Sequence, residues 1–323
     1  MIVTLPFVLL LLDFWPLSRF QPMLHKQQVQ IFKVFFCLVR EKIPLFILSA
    51  ISSLTTFFVQ QHGGAVSSIE YLPLKARVAN AIVSYTGYIG KMIWPLDLAV
   101  LYPLREWNLG QVLISGVLLL LISTFAVRKW KRHPYVFTGW LWYLGTLIPA
   151  IGLVQVGAQR MADRYTYIPL IGLFIIIAWA MPDILSKWRD RRIVLGTISG
   201  VMIILFMICS WFQVHHWKNG VTLFTHAIKT TNNNSIAYCE LGHALYKHGK
   251  YDEAVIHFTR AFQINPKFGE AHNNLGVTLA SMGNLNDAIY HHKEALRINP
   301  KSPQQFRKCP GPKGGCAEGY LSF

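Results

Sequence analysis

The chain has 323 residues, of which 53% are hydrophobic and 14% charged, with a formal net charge of +16. A soluble domain carries roughly a quarter charged residues, so an ordinary globular protein is excluded, and the deficit falls on residues 1–213. Nucleic acid is excluded as the reason for the basic excess. The cations of this part sit in short clusters between apolar runs (Arg128, Lys129, Lys131, Arg132; Lys187, Arg189, Arg191, Arg192) and not on one face of a folded module.

A spanning helix needs ~20 mostly apolar residues. The first run, 2–12, is too short for a comfortable span and has neither a preceding basic residue nor a small-residue cleavage site of a signal peptide. With Asp13, Trp15, Pro16 and Arg19 after it, it reads as the second half of a span ending at the interface. Residues 43–59, 107–127, 134–159, 165–182 and 193–214 are uncharged or nearly so and are expected to cross as helices, because backbone groups in lipid must be satisfied internally. Residues 78–102 carry Lys91 and Asp97 with Gly87, Gly90 and Pro95; intramembrane charges are costly, so this stretch is expected to be re-entrant or interfacial.

Basic loops mark the cytoplasmic side. Residues 19–42, 128–133 and 187–192 all fall on one side only if 78–102 does not cross. The expectation is therefore an all-α membrane domain at 1–213, with about six spans and one re-entrant or interfacial segment. Residues 60–106, 155–164 and everything beyond the last span would then lie on the periplasmic or lumenal face.

The remainder repeats itself. An offset of 34 carries Leu241-Gly242 to Leu275-Gly276, Ala254 to Ala288, Ala261 to Ala295 and Pro266 to Pro300. The same offset reaches back to Gly220, Phe224 and Ala227. Small residues let paired helices approach, Gly249-Lys250 and Gly283-Asn284 supply turns, and Asn265-Pro266 and Asn299-Pro300 stop the second helices. The pattern resembles the tetratricopeptide repeat (TPR), with His292 in place of the aromatic Phe258. The expected modules are a half repeat at 215–232, repeats at 235–268 and 269–302, and an irregular tail at 301–323. Cys239, His243, Tyr246, Asn273, Asn274 and Val277 are expected to line the groove of this short α-solenoid and to meet a protein or peptide partner.

No nucleotide loop, catalytic serine motif or zinc spacing is present, and the adjacent pairs His215-His216 and His291-His292 point apart on a helix, so no metal is expected. Cys309 and Cys316 read as tail thiols, with a pairing between them as the alternative. The polar residues of interest are external: Arg160, Asp163 and Arg164 followed by Tyr165 and Tyr167, which suit a phosphate near the lipid surface or serve only as an interfacial anchor. Lys91 and Asp97 form a second cluster, and Glu70 lies in the loop before it.

Residues 3–16, Tyr102-Pro103 and Ala162-Asp163-Arg164-Tyr165-Thr166-Tyr167-Ile168-Pro169 resemble the membrane-plus-TPR O-mannosyltransferases and their bacterial relatives. That resemblance covers about 1–300. It implies a polytopic glycosyltransferase of the endoplasmic reticulum or bacterial inner membrane, in contact with membrane lipid. Its donor would be a polyprenyl-phosphate sugar taken as substrate with no further cofactor. Its acceptor would be a protein held by the repeats, and Arg160, Asp163, Arg164, Tyr165, Tyr167 and Lys91 would be donor-phosphate residues. Enzymes of this kind carry an acidic residue in their first external loop; this sequence starts inside a later span, so it reads as N-terminally truncated and its catalytic residue is left unassigned. The alternative reading is a non-catalytic membrane-anchored scaffold; a transporter ranks third.

Overall fold

The computed structural model describes residues 2–19, 28–62, 73–152 and 159–300, and its contacts divide the chain into two units, 1–96 with 104–207 and 97–103 with 208 onward. In the first unit a 3₁₀ turn leads into α1 (Leu5–Phe14). It is followed by α2 (Gln28–Glu41), α3 (Ile43–His62), α4 (Leu74–Ile93), α5 (Leu109–Lys129), α6 (Pro134–Leu147), α7 (Pro169–Ile184) and α8 (Arg191–His216), whose residues from Ile208 onward belong to the second unit.

Among the described residues, three helices are long and apolar enough to cross a bilayer: α5, α7 with the 3₁₀ turn that extends it to Lys187, and α8. Shorter apolar helices are α1 and residues Ile43–Val59 of α3. No side chain in the apolar stretch of α8 is buried, and Ile203, Leu205, Met207 and Trp211 stand open. Water would not tolerate such a surface; hydrocarbon solvates it at no cost. The long uncharged run 134–159 does not become one helix. Its helix stops at Leu147 and continues only as a 3₁₀ turn, Ile148–Ala150, because Pro149 lacks a donor and restricts the residue before it.

α6 is the buried helix of this unit, with Thr138, Trp140, Tyr143, Thr146 and Leu147 inside. It meets α7 where Gly139 faces Gly172: a Cβ on either would clash with the other's carbonyl oxygen. Where lipid and side chains are equally apolar, close backbone approach of this kind supplies much of the helix association.

The two ends of the unit differ. At one, Trp15 after α1 packs edge-on against Trp179 near the end of α7 and against Tyr135 at the start of α6, and Phe14 stacks on Trp130. These aromatics sit beside the clusters 128–133 and 187–192, an arrangement expected of a membrane interface. Here too Asp13, 3% exposed, pairs with the buried Lys42 and, at 3.1 Å, with Arg19, which reaches Glu41 at 3.2 Å. The loops expected to share one side thus meet through the helix ends they join.

At the other end lies α4. The expected re-entrant or interfacial segment 78–102 is one uninterrupted helix that starts earlier, at Leu74, and stops at Ile93. Asn80 meets Trp107 before α5 begins, while Thr86 meets Ser115 inside it. Tyr85 donates to the carbonyl of Leu144 at the end of α6.

In the second unit, α9 (Gly220–Thr230) carries a capping box between Asn219 and Thr222, and α10 (Ser235–Lys247), α11 (Tyr251–Ile264), α12 (Gly269–Ser281) and α13 (Leu285–Ile298) follow. Gly249 and Gly283 take positive φ, and the Lys250 and Asn284 amides reach back to the carbonyls of Leu245 and Leu279. These are the glycine caps that end a helix in a left-handed residue. The Phe258 ring lies over Gly242, where a Cβ would come within 2.8 Å, and the His292 ring takes the equivalent place over Gly276 at 3.0 Å. Asn273 supports that substitution through a 3.2 Å hydrogen bond to His292 Nδ1.

Candidate functional site

The candidate site is on the polar face of α4. Arg77, Asn80, Ser84 and Tyr88 recur every three or four residues and are all buried, and Lys91 continues the same stripe into the last turn. A helix that hides polar residues in an apolar domain is inverted relative to its surroundings, which marks an interior site more than a packing face.

Residues 159–162 run along this stripe. Asn80 Nδ2 donates to the Arg160 carbonyl at 3.3 Å, and Tyr88 Oη both donates to the Ala162 carbonyl and accepts from its amide at 3.1 Å. Met161 Sδ would lie 3.4 Å from a Cβ at Gly87, so the segment rests in ordinary contact on that glycine. The other half of the Asn80 amide accepts from Trp107 Nε1 at 3.3 Å. One side chain therefore fixes both the backbone of Arg160 and the indole of Trp107.

Over that indole lie two guanidiniums, Arg105 at 4.1 Å and Arg160 at 4.8 Å from the ring centroid. Arg164 lies over the Tyr165 ring at 5.2 Å, and Tyr165 accepts from Gln159 at 2.9 Å. Cation–π contacts hold a guanidinium without consuming its N–H donors.

Of the residues expected here, Arg160, Arg164 and Tyr165 belong to one segment, with Asp163 beginning its short 3₁₀ turn. Tyr167 stands almost fully exposed. Asp97 belongs to the second unit. It has positive φ and opens a tight loop closed by Tyr102 Oη, which accepts from the Ala99 amide at 3.0 Å. Residues of the repeat unit hold that loop: Gln213 and His226 on the Leu98 carbonyl, Asn234 on that of Leu101. Glu70 and residues 155–158 lie outside the described residues, as do Cys309 and Cys316. Arg77, Asn80, Tyr88, Arg105 and Trp107 went unread in the sequence; the three- and four-residue spacing of polar positions from Arg77 to Lys91 is the signal that was there.

The repeat unit corrects several expected groove residues. Cys239, Tyr246, Asn273 and Asn274 are buried. Asn274 Nδ2 donates to Cys239 Sγ at 3.5 Å, Tyr246 Oη meets Ser281 Oγ at 3.2 Å, and Asn273 serves His292. They join helices to one another, because a small or hydrogen-bonding side chain is what fits where α10 and α12 pack. His243 and Val277 remain half-buried. Beside His243, burial raises the carboxyl pKa of Glu240 and of Glu270, and Glu240 raises that of Glu270 further.

Burial lowers the imidazole pKa of His226, His243, His257, His272, His291 and His292. His272 and His291 approach Nδ1 to Nδ1 at 3.1 Å, which requires at least one neutral ring. The unfolded chain protonates first as pH falls, so stability is fully present above the ordinary histidine pKa of ~6.5 and is lost below it. Glu240 and Glu270, with raised pKa, work the other way but only as pH falls through their own range. The thermal midpoint of the array should therefore drop from about pH 7.5 to about pH 5.5; an unchanged midpoint over that interval refutes this account.

Residues 235–268 and 269–302 match the tetratricopeptide-repeat family. The chain is 26% identical over 203 residues to the mouse protein O-mannosyl-transferase TMTC1, which covers 56% of this chain and 21% of that protein. To human protein O-mannosyl-transferase TMTC3 it is 26% identical over 111 residues, 34% of this chain and 12% of the relative. It thus spans about a fifth or less of the length of these relatives. Among solved structures, MamA MSR-1 C2 shares 17% identity, with 58% of this chain and 99% of that one covered and a TM-score of 0.25.

Proposed function

We propose that this chain is the donor-binding and acceptor-binding part of a membrane glycosyltransferase that uses a polyprenyl-phosphate sugar. The observation that carries the reading is the arginine-bearing segment 159–164, pinned on a buried polar stripe at the end of the bundle away from the basic loops and aromatic interface. Such a place presents guanidinium donors to an anion at the headgroup level. The positive-inside bias of the basic loops supports a lumenal or periplasmic position for that end, and the similarity to O-mannosyltransferases supports the reaction class. The two carboxyls Glu240 and Glu270 beside His243 would suit an acceptor polypeptide bearing basic residues near its hydroxyls. In this reading the acceptor hydroxyl attacks the anomeric carbon, its proton passes to a carboxylate base, and Arg160 and Arg164 stabilise the departing phosphate.

Arg164→Ala should weaken binding of farnesyl phosphate about tenfold or more, as expected for a lost charge-assisted contact. Arg164→Lys should recover little, because an ammonium lacks the guanidinium fork. A scaffold predicts a different outcome, in which both variants lower thermal stability and leave lipid binding unchanged.

A further inference from the structure

The aromatic end of the first unit, away from α4, gathers two groups of cations. Arg128, Lys129, Lys131 and Arg132 lie where α5 turns into α6, and Lys187, Arg189, Arg191 and Arg192 where α7 turns into α8. All but Lys129 are exposed, and none of them makes an ion pair among the described residues. One carboxylate joins the two turns. Asp183 Oδ2 accepts from Tyr135 Oη at 2.7 Å, and His133 Nδ1 lies 3.2 Å from the same oxygen. His133 follows Arg132 directly, and Asp183 stands one helical turn before Lys187. The contact therefore brings together clusters whose joining residues are 50 positions apart in the chain. Topology alone accounts for cations in such loops; it does not require a bond that holds one basic loop against another, where like charges repel.

We infer that the two turns form one binding surface for anionic phospholipid headgroups of the leaflet they face. The partner follows from the surroundings of the cations. Lys131 lies over the Trp130 ring at 5.8 Å, and the exposed Trp188 follows Lys187. Tryptophans of this kind sit at headgroup depth, so the anion that these cations meet is a lipid's and not one in free solution. Arginine forks a phosphate while lysine serves as a point charge for a second anionic group, a pairing that suits phosphatidylserine. Asp183 and Tyr135 are positioning residues that set the two turns side by side. Their role separates a joined surface from diffuse attraction. Removing an acid from a merely basic surface strengthens its hold on anions, whereas removing the joint weakens it. This surface stands apart from the donor site and does not depend on it.

The test reconstitutes the full chain in phosphatidylcholine vesicles. Association of spin-labelled phosphatidylserine is compared with that of spin-labelled phosphatidylcholine, and thermal midpoints are measured in parallel. Phosphatidylserine should be preferred about fivefold or more, and high salt should shrink the preference. Replacing Arg128, Lys131 and Arg132 together by Gln should remove most of it. Replacing Lys187, Arg189 and Arg192 together by Gln should do the same, because one surface needs both turns. Tyr135→Phe changes no charge yet should lower the preference about twofold or more. Asp183→Ala should lower it although a negative charge is lost, and Asp183→Asn, which still accepts from Tyr135, should keep it. Partial losses from the two triple variants that merely add up would overturn the single surface. So would a preference that rises in Asp183→Ala and is unmoved by Tyr135→Phe. Equal association of the two lipids with the parent chain, or displacement of phosphatidylserine by micromolar inorganic pyrophosphate, would overturn the lipid assignment.

Discussion

Asp13→Ala is expected to destabilise the first unit by about 3–5 kcal/mol, the cost of stranding a buried charge whose partner is gone. Asp13 and Lys42 are both almost wholly buried and pair directly, with Arg19 on the second carboxylate oxygen at 3.1 Å. Arg19 is half exposed, so solvent screens it and its loss should cost much less. Removing Asp13 leaves the Lys42 ammonium without its neutralising carboxylate between α1 and the start of α3. The double variant Asp13→Ala, Lys42→Met should recover most of the lost thermal stability, because it removes both charges. Equal melting of Asp13→Ala and the parent would mean that the pair contributes nothing.

The second large effect is expected in the repeats. Phe258 is 1% exposed and its ring fills the space over Gly242. Phe258→Ala removes the buried ring and leaves a cavity between α10 and α11, a change that typically costs 3–5 kcal/mol. The Cys239 thiol, buried in the same cluster, reports it. With the other cysteines replaced by serine, alkylation of Cys239 through local opening should accelerate by roughly two to three orders of magnitude, and Phe258→Leu should fall between. Slow alkylation in the alanine variant would show that the ring is not what closes the repeat.

The repeats were legible because their physics is local. A glycine that must take positive φ, a small residue at a helix crossing and an asparagine-proline stop act within a few residues of themselves, so Gly249, Gly283, Gly242 and Pro266 could be read from spacing. The exchange of Phe258 for His292 was visible too. Its partner was not: Asn273 looked like a groove residue until the fold set its carbonyl oxygen against the imidazole. The same holds for Cys239 and Asn274, whose spacing is right for a groove and whose actual neighbours are each other.

The sequence by itself determined the apolar helices α5, α7 and α8, which apolar surfaces demand lipid, where the repeats begin and which stretches carry cations, because composition and period act through solvation and hydrogen bonding along one segment; it did not show that residues 28–41 form a helix or that the run 134–159 breaks at Leu147. Only the tertiary structure decided that Arg105 and Arg160 share Trp107, that Asn80 ties them to α4, and that Asp97 belongs with the repeats. Arg105 and Arg160 are far apart in sequence, and no periodicity relates two loops on different helices. Their juxtaposition is set by how α4, α5 and residues 159–162 pack, through bonds such as Asn80 to the Arg160 carbonyl that form only once those elements have met.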